Sequence, residues 1–125
     1  MVNEKEITVV FDTRDVNFEN GQQFNSLVDQ VNAVLKSGRI YRELEITQWE
    51  MYHEGNKVKS EEHTHIPFHR HFYYDPAKNV FGGGFMVFEV LEDLRRYYNV
   101  DDITADLPWL IDLVFTVTVT LADHP

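Results

Sequence analysis

Residues 63–71 read His-Thr-His-Ile-Pro-Phe-His-Arg-His, so four of the six histidines fall within nine residues, all at odd positions. No other stretch limits the fold as tightly. Side chains alternate across a strand. If the run is extended, His63, His65, His69 and His71 share one face, and Ile66, Phe68 and Phe72 share the other. One side then belongs in an apolar core and the other carries imidazoles.

The flanking sequence supplies partners for such a strand. Residues 7–12 are β-rich and partly alternating. Phe24, Leu27, Val28, Val31, Val34 and Leu35 recur at helical spacing, with Asn20 as the expected N-cap and Gly38 as the stop. Residues 40–53 read as a second strand. A Gly55-Asn56 turn joins it to a long histidine strand over 59–74. Pairing Leu44 with Phe68, Ile46 with Ile66 and Ile40 with Phe72 keeps apolar residues together, and burial penalises a one-residue slip. That register sets Tyr41, Glu43, Thr47 and Trp49 opposite His71, His69, His65 and His63 on the outer face. Gly82-Gly83-Gly84 reads as a flexible join. Phe88, Leu91, Leu94 and Tyr98 then mark a second helix. Residues 101–108 read as a loop. A final strand over 111–121 alternates apolar residues with Asp112, Val114, Thr116, Thr118 and Thr120.

Strand, helix, strand, strand, helix, strand is an α+β order, expected as one domain over residues 1–125. Its common solution is the ferredoxin-like βαββαβ arrangement, a four-stranded antiparallel sheet with both helices on one face and the other face open. In that arrangement the first and third strands are central, which brings Thr8 and Asp12 near the histidines.

Composition removes several function classes. There is no cysteine, so disulfide scaffolds, thiolate metal sites and cysteine nucleophiles are excluded. No apolar stretch reaches the ~18 residues of a membrane span. The N-terminal residues lack the basic and apolar regions of a signal peptide, which reads as a cytoplasmic protein. The net charge is −10, with 21 acidic against 11 basic residues. Nucleic-acid binders draw affinity from cations on phosphates, so direct nucleic-acid binding is not expected.

Two chemistries remain. The first is metal binding. Same-face residues of an His-x-His pair lie roughly 6.5 Å apart at Cα, close enough to share one ion. The candidate ligands are His63, His65, His69 and His71 with Glu43, and zinc is the first choice if any divalent metal is held. The pair followed by a helical Tyr97-Tyr98 resembles enzymes that nick single-stranded DNA to start rolling-circle replication, which carry His-hydrophobic-His. Here the middle residues are Thr64 and Arg70, and the net charge repels DNA.

The second is protein binding without catalysis. Between residues 89 and 112 stand Glu89, Glu92, Asp93, Asp101, Asp102, Asp106 and Asp112 against Arg95 and Arg96. Such an acidic edge fits a basic groove, as small acidic inhibitors of nucleases and of nucleic-acid-guided defence enzymes do. Tyr41 and Trp49 are candidate anchors on the open sheet face, which can also pair with a second copy. The leading expectation is a small acidic interaction protein that binds, and inhibits or organises, a partner with a basic surface. A phage or mobile-element origin fits that reading. The alternative is a histidine-liganded metal protein or small metalloenzyme.

Overall fold

The apolar and threonine faces of the last strand place it mid-sheet, with a strand paired along each of its edges. A computed structural model describes residues 4–68, 71–100 and 111–123. In chain order the elements are β1 (Glu4–Asp12), α1 (Asn20–Lys36), β2 (Ile40–His53), β3 (Asn56–Glu61), β4 (Ile66–Pro67), β5 (Phe72–Asp75), β6 (Val80–Gly83), α2 (Val87–Tyr97) and β7 (Ile111–Ala122). The main antiparallel sheet runs β1-β7-β2-β3, with β4 also paired to β2, and β5-β6 form a separate hairpin. β7 takes one side of β2, so β3 and β4 share its other side.

The α+β class, the two helices and antiparallel pairing are as expected, but the ferredoxin-like order is not. The first strand lies at an edge and the last strand is central. β7 inserts between β1 and β2, antiparallel to both. The cause is burial. Leu113, Phe115, Val117, Val119 and Leu121 need an apolar layer, and the short threonines alternating with them are covered by longer neighbours; Thr116, Thr118 and Thr120 are all buried. The Asn-Lys-Val-Lys-Ser-Glu strand β3 has no such demand and suits an edge.

The expected long histidine strand is three short ones. It breaks first at Glu62-His63, where His63 takes φ +58°. Thr64 then plugs into β2. Its N–H donates to Thr47 O at 2.8 Å, and its hydroxyl donates to Ile46 O at 2.8 Å. The Ile46–Ile66 pairing forms as expected, and Phe68 N–H donates to Leu44 O at 3.1 Å. The chain then turns, with His71 N–H on Phe68 O at 3.2 Å. Phe72 consequently pairs with Gly83 and not with Ile40. The expected glycine join is thus partly strand. Gly83 holds φ +118°, and a Cβ there would lie 2.5 Å from His71 O, so only glycine fits.

Both helices and the β5-β6 hairpin pack on one sheet face. Phe85 sits at the junction, with ring centroids 5.1 Å from Phe11, 4.9 Å from Phe68, 5.6 Å from Phe72 and 6.1 Å from Phe115. Leu27, Val31 and Leu35 of α1 and Val90, Leu91 and Leu94 of α2 complete the core. Asn20 begins α1 and does not cap it. Its side-chain amide donates to Phe85 O at 2.7 Å and ties the two helix starts together. Among the described residues, no helix is long and apolar enough to cross a membrane.

Candidate functional site

Among the described residues, His63, His65 and His71 do not form one cluster. His63 and His65 are exposed, and His65 Nδ1 lies 3.2 Å from Glu45 Oε1. His71 is turned inward and is only 7 % exposed. Its Nε2 lies 2.7 Å from Asp93 Oδ2 and its Nδ1 lies 3.0 Å from Glu89 Oε2. Glu89 and Asp93 are four residues apart on α2, so they present to one side and clasp the ring between them. This clamp fastens the turn before β5 to α2. Both nitrogens are engaged. His69 lies outside the described residues. Glu43 stands on the open side of β2, opposite Thr120. Among the described residues, no group of three or more histidines, aspartates or glutamates is placed to hold a metal ion.

The described carboxylates of the expected acidic edge stand in different settings. Asp93 is 3 % exposed beneath α2, Glu89 is engaged by His71, and Asp112 accepts from Thr13 Oγ1 at 3.1 Å. Of the described carboxylates in that stretch, Glu92 alone is exposed. Asp101, Asp102 and Asp106 lie outside the described residues.

Tyr41 and Trp49 face the helix layer and not the open side. Trp49 is 1 % exposed, its ring 5.2 Å from that of Tyr98. Tyr41 is half-buried at 5.7 Å from both Tyr74 and Phe81, and burial raises its hydroxyl pKa. The cause is a pair of register shifts in β2, one between Tyr41 and Glu43 and one between Ile46 and Gln48. Each inserts one residue and reverses the parity beyond it. Leu44 and Ile46 point inward at even positions, and Trp49 and Met51 at odd ones. That change of parity is visible in the sequence and was the available signal for the second shift.

The shifts also decide what remains outside. Across β1, β7 and β2 the open face carries Glu6-Thr120-Glu43, then Thr8-Thr118-Glu45, Val10-Thr116-Gln48 and Asp12-Val114-Glu50. Thr47 and Thr118 share a hydroxyl hydrogen bond of 2.9 Å, and Gln48 Nε2 donates to Thr116 Oγ1 at 3.2 Å. A floor of threonine is therefore bordered on both sides by carboxylates.

The two ends of this face differ electrically. At one end the charges are neutralised internally. Arg14 pairs with Asp12 at 3.1 Å and lies 3.9 Å over the Tyr52 ring, and Lys57 pairs with Glu50 at 3.0 Å. The hydrogen bond from Arg14 lowers the Asp12 pKa, and that from Lys57 lowers the Glu50 pKa. A recess of about 170 Å³ opens here, lined by Gln48, Glu50, Lys57, Ser60, Val114 and Thr116 among others. At the other end stand Glu4, Glu6, Glu43 and Glu45, around a recess of about 480 Å³ lined by Glu4, Tyr41, Arg42, Glu43 and Thr120. Among the described residues, exposed His65 is the one ion-pair partner there, on Glu45. Lys5 and Arg42, adjacent in sequence, form no ion pair among the described residues.

No protein-family model, curated protein or solved structure matches this chain. The functional reading therefore rests on this surface.

Proposed function

We propose that this domain is a non-catalytic binding module that docks a basic protein partner on the open face of its sheet. The observation that carries the reading is the uncovered sheet face, whose threonine floor is bordered at one end by Glu4, Glu6, Glu43 and Glu45, none of them ion-paired to a lysine or arginine among the described residues. Opposed charge speeds encounter and selects partners. Occupying a basic surface in this way masks it, which is how such a module inhibits or organises its partner. The carboxylates argue against pairing of two copies through this face, since like charges would meet.

A titration with a Lys/Arg-rich peptide tests the reading. Combined reversal of Glu6, Glu43 and Glu45 to lysine should abolish binding, while Glu92→Lys should leave it unchanged. Raising salt from about 0.05 to about 0.5 M should weaken binding steeply. Loss of binding with Glu92→Lys, and none with the combined reversal, would contradict the proposal.

A further inference from the structure

We infer that the partner contributes an extended basic segment that adds to the outer edge of β1 as a further antiparallel strand, an inference that rests on the docking face proposed above. β1 is one border of that face. It pairs with β7 through all nine residues, Glu4 to Asp12, without a register shift, and it contains no proline or glycine. Among the described residues nothing pairs with its other side. The opposite edge is defended. β3 is six residues long, carries Lys57 and Lys59 and has a register shift against Met51 and Tyr52. Proteins blunt exposed edges with short strands, lysines and register shifts; β1 carries Lys5 near its start but is nine residues long and regular, and such an edge is a template for another strand.

The direction of the free backbone groups follows from one hydrogen bond. Thr13 N–H donates to Leu113 O at 3.0 Å, so residues 13 and 113 occupy a bonded position of the ladder. Bonded and non-bonded positions alternate in antiparallel pairs. Phe11, Val9, Ile7 and Lys5 therefore bond to β7. Glu6, Thr8 and Val10 turn their N–H and C=O groups outward, and Val10 is 53 % exposed. The outward backbone groups and the open-face side chains thus belong to the same residues. An added antiparallel strand sets its own bonded residues opposite Glu6, Thr8 and Val10, with their side chains on the acidic face. Lysine or arginine at those alternate positions meets Glu4 and Glu6. A second copy of β1 fits less well. Two-fold pairing centred on Thr8 sets Glu4 against Asp12 at both ends.

The probe is a ten-residue peptide of alternating lysine and valine, used with the intact protein. It should bind, and the amides of Glu6, Thr8 and Val10 should then exchange with solvent more slowly. A peptide N-methylated on its lysines keeps every charge but cannot donate to β1. It should bind about tenfold more weakly or worse, since several ladder hydrogen bonds are lost. N-methylation on the valines, whose N–H groups point away from β1, should have a much smaller effect. If the lysine-methylated peptide binds as well as the unmodified one, strand addition is overturned while charge docking on the face stands. Equal loss with both methylated peptides also overturns it. Absence of binding by the unmodified peptide removes both readings.

Discussion

His71 holds the turn before β5 against α2 through two carboxylates, and the interior there cannot easily replace it. Hydrogen bonds to charged groups contribute ~1.5–3 kcal/mol each. His71→Ala should therefore cost roughly 3–5 kcal/mol in a urea titration, since it removes two hydrogen-bond contacts and empties the space the buried ring fills. His65→Ala breaks only an exposed pair with Glu45 and should cost ~0–1 kcal/mol. Equal effects for the two histidines would remove the clamp from this account. Phe68 is fully buried beside Phe85 and His71, so Phe68→Ala should cost roughly 3–5 kcal/mol. The paired carboxylates of the open face give a pH dependence whose sign is fixed. Asp12 and Glu50 have folded pKa values below their unfolded ones. Their contribution is present above the unfolded carboxylate range near ~4 and is lost as pH falls through the folded values. Both groups are partly exposed, so the contribution is small. Arg14→Ala with Lys57→Ala should flatten stability between about pH 5 and pH 3 relative to native protein. An unchanged acid limb would contradict that assignment.

Among the elements, the β5-β6 hairpin depends most on a single residue. Gly83→Ala forces a Cβ to 2.5 Å from a backbone oxygen at positive φ and should lower the thermal midpoint by several degrees. Gly21→Ala, in the first turn of α1 with open space around it, should be neutral or stabilising. A destabilising Gly21→Ala or a silent Gly83→Ala would contradict the described hairpin and helix start. The same elements show what the sequence could and could not reveal. Periodicity over long segments located α1, α2, β1, β2 and β7, although Phe88 of the expected α2 stripe is exposed and β2 changes parity twice. The inward placement of Ile66, Phe68 and Phe72 also survived, since those three are buried. What failed was the assumption that parity persists. Single-residue shifts in β2 moved Tyr41 and Trp49 inward, and the turn after Phe68 carried His71 inward. Each shift is a local backbone event whose evidence lies in distant partners, so strand-by-strand reading misplaced the site residues while locating the strands.

For the whole molecule, the insertion of β7 between β1 and β2 determines where charge collects. It brings glutamates from both ends of the first 50 residues to either side of one threonine row, although they are about 40 positions apart in sequence. The acidic run in α2, dense as it is in sequence, is partly spent on His71. The net charge of −10 thus acts through the sheet face in this account and not through the helix edge. Amide chemical-shift mapping of the labelled protein with the lysine-valine peptide tests this most directly. The account predicts that the largest changes fall on Glu6, Thr8, Val10, Glu43, Glu45, Thr118 and Thr120. Changes centred on Glu92 and the outer side of α2, with the sheet residues unmoved, would contradict it.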